Sequence, residues 1–216
     1  NQLTSLDVSA NTDLFILYCG NNQLTSLNVN NNISLQTLFC YFNQLDSLDV
    51  SSCVSLVNFE CDLNQLTLLN LGNISSLQSF NCFDNQLSSL DVSNNIDLWH
   101  LWCSDNNITE LDISDNINLE AFICHSNQLT SLDIRNGNNV NMFTQSTWLD
   151  FTNNPNLTCI DVDDTTWANN NWTVANGHID SQHYFSTNCS FIPSSWNCVN
   201  NACVDPMDGT GSYTDS

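Results

Sequence analysis

The chain has 216 residues, of which 41% are hydrophobic and only 11% are charged, so uncharged polar side chains must cover most of its surface. One basic residue, Arg135, faces 23 acidic ones, and the formal net charge is -22. A field of this sign repels phosphate backbones and anionic membrane surfaces, so we expect no nucleic-acid partner. No apolar run approaches the ~18–20 residues of a membrane span, so we also expect no direct membrane insertion.

The chain is built on one repeat. Residues 14–24 fit the pattern LxxLxCxxNxL, which returns every 21 residues. Its asparagines are Asn22, Asn43, Asn64, Asn85, Asn106 and Asn127, and its cysteines are Cys19, Cys40, Cys61, Cys82, Cys103 and Cys124. A fixed period of about 20–29 residues that contains this pattern is typical of a leucine-rich repeat solenoid. The sequence therefore predicts a mainly-β solenoid, with a strand, a turn, a second short strand and a turn in each coil.

The apolar positions of each coil predict its core. In the first coil they are Leu3, Leu6, Val8, Leu14, Leu17 and Cys19. One coil cannot bury these residues alone, but stacked coils form a continuous core. We expect the repeated asparagine to turn its side chain inward and to satisfy buried backbone groups of its own and neighbouring coils.

The 11 cysteines fall into two groups. The six ladder cysteines replace an inward leucine, so a column of buried free thiols is the favoured interpretation. A disulfide between neighbouring coils and a metal cluster are the alternatives, and parallel side chains make the disulfide awkward. Cys53 lies off this ladder. The four C-terminal cysteines predict the disulfides Cys159–Cys189 and Cys198–Cys203 of a secreted protein.

The regular period ends after Ile134, and Leu149 follows fifteen residues later. We predict a solenoid over residues 1–157 and a C-terminal cap over 158–190, because a repeat array needs an atypical unit to cover its open end. Trp167, Trp172, Tyr184 and Phe185 are the predicted lids of the core. Residues 191–216 predict a small cysteine-containing tail module. The chain begins inside a repeat, so we expect a signal peptide and earlier residues to precede it.

The repeat resembles the 21-residue bacterial leucine-rich repeat with the nested form LxxLxCxxNxLxxLDVSxN, over roughly residues 1–162. Residues 154–189 resemble the cap of secreted Bacteroidetes leucine-rich repeat proteins. Residues 196–213, WNCVNNACVDPMDGTGSY, resemble a small cysteine module of that group. The module has further cysteines in those relatives, so we expect it to be truncated here. The resemblance implies export by the type IX system and a secreted, outer-membrane or cell-surface location.

The candidate ligand-binding residues are the variable positions beside the LxC strand, which this fold places on the concave face. Large aromatic side chains, where the core does not require them, favour a binding surface, and carboxylates lie among them. The predicted site residues are Tyr18, Phe39, Tyr41, Phe42, Glu60, Asp62, Phe83, Asp84, Trp102, Asp105 and Trp148. Such a surface suits a sugar or a peptide. The alternative is that some aromatic rings pack against each other across neighbouring strands.

A second row of carboxylates predicts an outward-facing ladder on the second strand. It comprises Asp7, Asp49, Asp91, Asp112, Asp133 and Asp161, and it is interrupted by Asn28 and Asn70. A solvated face is the favoured interpretation, and we expect no cofactor. Calcium bound between the stacked carboxylates is the alternative.

The favoured function is a non-catalytic, adhesin-like recognition module that binds a protein or glycan outside the cell. A structural subunit of an outer-membrane or surface assembly, docked on a partner subunit, is the alternative. An enzyme acting on polysaccharides is the third hypothesis, because Glu60 and Asp62, or Asp84 and Asp105, could imitate a glycosidase pair. No nucleophile elbow, HExxH motif or phosphate loop supports catalysis.

Overall fold

The computed structural model describes residues 1–145 and 147–190, together with the backbone of two strands at 197–199 and 202–204. The chain winds into a solenoid of short parallel strands, as the repeat predicts. The strands are β1 (Ile16–Tyr18), β2 (Thr37–Phe39), β3 (Ser47–Asp49), β4 (Asn58–Glu60), β5 (Leu68–Asn70), β6 (Ser79–Asn81), β7 (His100–Trp102), β8 (Glu110–Asp112), β9 (Ala121–Ile123), β10 (Ser131–Asp133), β11 (Leu149–Asp150), β12 (Cys159–Asp161), β13 (Tyr184–Ser186), β14 (Asn197–Val199) and β15 (Ala202–Val204). A 3₁₀ helix spans Asn139–Asn141, and one α-helix, α1, spans Thr165–Asn171.

A seven-stranded parallel sheet, here called the long sheet, runs along the solenoid in the order β1-β2-β4-β6-β7-β9-β11. Equivalent residues of successive coils lie opposite each other, as Leu17 opposite Leu38 and Leu38 opposite Phe59 show. The middle residue of each strand points into the core, because side chains alternate between the two faces of a strand. The outer residues are therefore free to vary without loss of core packing.

The second strand of the coil is less regular than predicted. It forms a two-stranded sheet, β3-β5, and a four-stranded sheet in the order β13-β12-β10-β8. The residues Leu6, Leu27 and Leu90 occupy the equivalent position in coils where the structure assigns no strand. The long sheet is thus the continuous surface along the solenoid.

The ladder asparagines bind the coils together, as predicted. The Asn85 side chain is buried, and its Nδ2 donates to the carbonyls of Cys61 at 3.1 Å and Cys82 at 3.1 Å. Its Oδ1 accepts from the backbone N–H of Leu66 at 2.9 Å. Cys61 and Leu66 belong to the preceding coil, so one amide satisfies polar groups of two coils. The same bonds recur at the equivalent asparagines from Asn43 to Asn154.

The six ladder cysteines are buried and free, as predicted. Burial raises the pKa of the Cys19 thiol to about 11 and that of Cys103 to about 12, and it holds the pKa of the other four thiols well above the usual range. The thiols are therefore neutral and pack as small apolar groups. Phe151 takes the ladder position in the coil after Cys124, and it stacks against Phe122 at 5.5 Å.

Cys53 belongs to a second internal ladder that the sequence analysis did not separate. Its equivalents in other coils are asparagines such as Asn32 and Asn116, which are buried and donate to backbone carbonyls of the preceding coil. The Cys53 thiol lies 3.6 Å from the carbonyl of Val29, where it acts as a weak donor. Cys53 thus replaces an amide at one position.

The cap covers the C-terminal end of the core. Trp172 is buried against Phe151 at 5.6 Å and Phe185 at 5.9 Å, and Trp167 packs edge-on against Trp172. The predicted disulfide Cys159–Cys189 is present. The prediction of Tyr184 as a lid is wrong, because its side chain is 51% exposed and the alternate residue Phe185 points inward.

Two further expectations change at the ends of the solenoid. Leu3 is 48% exposed although its equivalents Leu24 and Leu45 are fully buried, because no described coil packs on its side of the first coil. Asp161, predicted to face outward, is buried under the cap, where its carboxylate accepts from the N–H of Cys189 at 2.7 Å.

The predicted Cys198–Cys203 disulfide lies outside the residues whose side chains are described, although β14 and β15 pair antiparallel there.

We expect Asn106→Ala to lower the free energy of unfolding by about 2–4 kcal/mol, because it leaves several buried backbone groups unpaired. Asn106 donates to the Cys82 carbonyl at 3.0 Å and accepts from the Leu87 N–H at 2.9 Å. Urea unfolding measures the change. The matched control is Asn107→Ala, which removes an exposed amide next to it and should stay within about 0.5 kcal/mol. Equal losses in the two variants would contradict the ladder's role.

Candidate functional site

The outer residues of the long sheet form two columns that carry most of the predicted site. The first column contains the last residue of each strand: Tyr18, Phe39, Glu60, Asn81, Trp102, Ile123 and Asp150. The second column lies two residues further along each coil and contains Gly20, Tyr41, Asp62, Phe83, Ser104 and His125. Carboxylates and amides occupy the middle of both columns, and aromatic residues flank them on both sides.

The aromatic residues pack in pairs across neighbouring strands, which is the alternative that the sequence left open. Tyr18 stacks on Phe39 with ring centroids 4.9 Å apart, and Phe83 stacks on Trp102 at 4.6 Å. The Trp102 indole Nε1 donates to the hydroxyl of Ser104 at 2.6 Å. Tyr18 remains exposed and the other three rings are half-buried, so part of each ring still faces solvent.

Tyr41 is positioned by a glycine. A Cβ atom on Gly20 would lie 3.0 Å from the Tyr41 ring, so the ring covers the backbone of the preceding coil at that point. Any larger residue at Gly20 would displace this ring. The half-buried Tyr41 therefore completes the aromatic wall on the N-terminal side of the carboxylates.

Between the aromatic pairs lies the acceptor centre, which we define as Glu60, Asp62 and Asn81. Glu60 and Asn81 lie opposite each other on β4 and β6. Asp62 is only 6% exposed, yet no other described residue donates a hydrogen bond to its carboxylate. The Oδ1 atom of Asn81 is also buried without a partner in the described part of the chain. The centre thus gathers three acceptor groups, and the donors within it are the Asn81 amide Nδ2 and the backbone N–H of Asp62 itself.

Electrostatics confirm that the acceptor centre is unfavourable in the free protein. Burial, with the charges of Glu60 and Asp84 adding to it, raises the pKa of Asp62 to about 6. Burial also raises the pKa of Glu60. Both carboxylates lose hydration, and the hydrogen bond that Asp62 accepts from its own backbone N–H offsets only part of this cost, so ionisation costs free energy. An arrangement that destabilises the free protein in this way is typical of a functional site.

Three predicted site residues occupy a strained position of the coil. Phe42, Asp84 and Asp105 have φ angles of +52° to +53° in the left-handed region. Asparagine and aspartate adopt this conformation readily, whereas a bulky residue such as Phe42 costs about 1–2 kcal/mol there. Phe42 is also exposed, so neither the backbone nor the core explains its presence. Asp84 and Asp105 fit the turn itself and require no ligand to explain them.

Trp148 belongs to a different group from Trp102. Trp99, His100, Phe143 and Trp148, here called the His100 cluster, lie near the end of the long sheet. His100 is 5.9 Å from Trp148 and 5.5 Å from Trp99, and Phe143 is 6.1 Å from Trp148, measured between ring centroids. The sequence analysis missed Trp99 and Phe143, because they precede the strand or lie in the irregular segment. Trp99 could have been found from the sequence, because a tryptophan stands there at the repeat position where other coils have Gln36 or Gln78.

The outward aspartates have a structural role. In the regular coils, Oδ1 of the residue accepts from the backbone N–H two residues later, for example from Ser51 to Asp49 at 2.9 Å. Asn28 and Asn70 make the same bond, so asparagine substitutes freely. Hydrogen bonds from the following serine hold the pKa of Asp49 and Asp91 below its usual range. Among residues 1–145 and 147–190, no three His, Cys, Asp or Glu side chains are grouped to hold a metal ion, and calcium stays a prediction.

The chain's single basic residue is already engaged elsewhere. Arg135 forms an ion pair with Asp133 and donates to the carbonyl of Thr187 in the cap at 2.9 Å. These groups belong to the four-stranded sheet and the cap. The acceptor centre on the long sheet therefore has no lysine or arginine of its own to neutralise it.

Comparison with known proteins agrees with this architecture. A domain of InlJ from Listeria monocytogenes, described as a functional domain that includes a cysteine ladder, is 35% identical, with a TM-score of 0.65 over 75% of this chain. A leucine-rich repeat protein of Leptospira interrogans is 20% identical, with a TM-score of 0.58 over 86% of this chain. The chain folds as a leucine-rich repeat solenoid.

The solenoid is only a part of those proteins in length. The chain spans 37% of the InlJ structure and 46% of the Leptospira structure. No protein-family model matches the sequence, and no curated protein is similar to it. Within the described residues, the helices are too short and too polar to cross a membrane.

We expect Asp62→Asn to stabilise the protein above pH 6. The folded-state pKa of about 6 lies above the ordinary value of 3.8, so the native protein holds the proton more tightly than the unfolded chain does. The resulting loss of stability is absent below pH 3.8, grows between pH 3.8 and 6, and is complete above pH 6, where the carboxylate is ionised in both states. Thermal unfolding of parent and variant should therefore coincide below pH 3.8 and diverge by pH 7.

The control for charge is Asp112→Asn, which removes one carboxylate from the exposed turn of β8. If this variant gains as much stability at pH 7 as Asp62→Asn does, the effect comes from the overall charge of -22 rather than from the acceptor centre.

Proposed function

We propose that this leucine-rich repeat solenoid is a non-catalytic recognition module that binds a protein through the long sheet, with a basic side chain of the partner entering the acceptor centre. The observation that carries the proposal is the buried Asp62 carboxylate, which receives no hydrogen bond from other described residues. A guanidinium or ammonium group would supply both the missing donors and the opposite charge.

The aromatic pairs on either side support a cationic guest. A cation is attracted to the faces of tryptophan, tyrosine and phenylalanine, and its aliphatic stem packs against their rings. Phe39 and Tyr41 lie on one side of the acceptor centre, and Phe83 and Trp102 lie on the other. The net charge of -22 would also accelerate encounter with a basic surface.

The likeness to the InlJ structure, which is described as a functional domain that includes a cysteine ladder, supports an interaction role for the solenoid. More specifically, we propose that the module acts outside the cell as an adhesin and binds its partner on the concave surface. Bacteroidetes origin, type IX export and the outer-membrane location are predictions that rest on the sequence resemblance. A structural subunit would use the same face, and a partner that co-purifies with the natural protein would favour it.

The geometry does not favour the polysaccharide enzyme. Asp62 is buried between neighbouring strands, whereas Asp84 and Asp105 are exposed at turn positions of separate coils. A glycosidase needs one carboxylic acid and one carboxylate on opposite sides of a bound sugar. Glu60 and Asp62 instead lie side by side on the sheet, which suits a single cation better.

Binding to immobilised peptides with arginine, lysine or only neutral residues tests the proposal. We expect the parent protein to bind the arginine and lysine peptides, and Asp62→Asn to weaken binding at least tenfold because it removes the buried charge. Trp102→Ala should weaken binding severalfold without unfolding the protein, since its indole is half-buried on the surface. Circular dichroism and thermal unfolding check that the variants remain folded.

Asp112→Asn distinguishes binding at the acceptor centre from attraction by the overall negative charge, because it removes one carboxylate from the four-stranded sheet instead. The proposal requires this variant to bind as the parent does. It is wrong if both aspartate variants lose affinity equally, or if basic peptides bind no better than neutral peptides.

A further inference from the structure

A second site of different chemistry lies at the His100 cluster. His100 is 9% exposed, and its Nε2 atom is buried without a hydrogen-bond partner among the described residues. The other ring nitrogen, Nδ1, lies 3.0 Å from the hydroxyl of Ser79. A buried polar atom without a partner costs free energy, so the unpaired imidazole nitrogen requires an explanation.

The surrounding aromatic rings are exposed, although Trp99 and Trp148 contact this buried residue and Phe143 contacts Trp148. Trp99 and Phe143 are each 40% exposed, and Trp148 is 42% exposed. They belong to three different segments: the start of β7, the irregular segment and the start of β11. Their rings are tilted or perpendicular to their neighbours, so they do not cover each other as the stacked pairs do.

The backbone builds this arrangement with specific contacts. Ala121 lies opposite His100 in the register and carries only a methyl group, so Trp148 on the next strand can reach across it to His100. The N–H of Phe143 donates to the carbonyl of Glu120 at 2.8 Å, and the N–H of Phe122 donates to the carbonyl of Trp148 at 2.8 Å. These bonds fix both ends of the aromatic segment to the coil.

The cap also holds the segment in place. The fully buried His178 donates from Nε2 to the carbonyl of Thr144 at 3.0 Å, because its Nδ1 accepts from the backbone N–H of Thr173. The residues that interrupt the 21-residue period are thus secured on two sides. The segment that interrupts the 21-residue period thus places Phe143 and Trp148 in the His100 cluster, and specific contacts hold it there.

We propose that the His100 cluster binds one unit of a neutral saccharide, whose ring packs on Trp148 or Trp99 and whose hydroxyl reaches the buried His100 Nε2 when one of these exposed indoles turns aside. A sugar ring has an apolar C–H face that suits an indole, and hydroxyl groups around its edge. A hydroxyl both donates and accepts, so it satisfies Nε2 in either tautomer of the imidazole. The exposed carboxylate of Glu120, on the strand next to Trp99, supplies an acceptor for a further hydroxyl.

The imidazole is suited to a neutral ligand. Burial lowers the pKa of His100 below its ordinary value of 6.5, so the ring is uncharged at neutral pH. The acceptor centre, by contrast, contains two carboxylates and lies on β4 and β6. This site is therefore independent of the proposed protein-binding function, and the two sites should respond to different variants.

An array of neutral oligosaccharides, followed by isothermal titration with the saccharide that binds, tests this proposal on the whole chain. Two variants define the site. Trp148→Ala removes an exposed ring, and His100→Phe keeps an aromatic ring of similar size but removes Nε2. We expect each to weaken binding at least tenfold. Asp62→Asn and Trp102→Ala are the matched controls, and they should bind the saccharide as the parent does.

Nuclear magnetic resonance gives a readout that general destabilisation would not reproduce. The imidazole signals of His100, assigned by their absence in His100→Phe, should shift when the saccharide is added, while those of His178 stay unchanged. The proposal is wrong if no neutral saccharide binds, or if a bound saccharide leaves His100 unshifted and survives both variants. Basic peptides that lose binding in Trp148→Ala rather than in Asp62→Asn would also contradict it.

Discussion

The whole molecule depends on satisfying backbone polar groups at the turn after each strand of the long sheet. A 21-residue coil with three-residue strands leaves many carbonyl and N–H groups inside the solenoid. The ladder asparagine supplies a donor and an acceptor at each turn, and it bonds to two coils at once. The apolar core then stacks in register, and the outward positions of the sheet carry no structural duty. The outward residues of the long sheet can therefore form a binding site without disturbing the fold of the coil.

Some residues at these outward positions lower the stability of the folded protein, and selection for folding alone would not favour them. Asp62 is ionised at neutral pH in a buried position, and Phe42 is a bulky exposed residue in the left-handed conformation. His100 buries a nitrogen that has no partner within the described residues. Such costs, at positions free to vary, indicate interactions that are completed by a ligand. The acceptor centre suits a cation and the Nε2 atom of His100 suits a hydroxyl group, so the two sites favour different ligands.

The sequence predicted the repeat, the core and the asparagine ladder because each depends on a fixed spacing that returns in every coil. It located Cys159–Cys189 and the inward Trp172, but it misplaced Tyr184, since alternation along β13 depends on a register that the irregular cap does not reveal. It also identified Glu60 and Asp62 of the acceptor centre without ranking them, and it did not select Asn81. The raised pKa of Asp62 comes from its neighbours on adjacent coils, and the His100 cluster joins residues across an interrupted period. Neither depends on a local pattern.

The most direct test of the account is the titration of the Asp62 carboxyl group, followed by carbon-13 nuclear magnetic resonance and assigned with Asp62→Asn. In the free protein, we expect its pKa to lie near 6 because the carboxyl group is buried and the charges of Glu60 and Asp84 lie nearby. Addition of an arginine peptide should lower this pKa, because the guanidinium stabilises the ionised form. A carboxyl group that titrates near 3.8 in the free protein, or that ignores the bound peptide, would contradict the account.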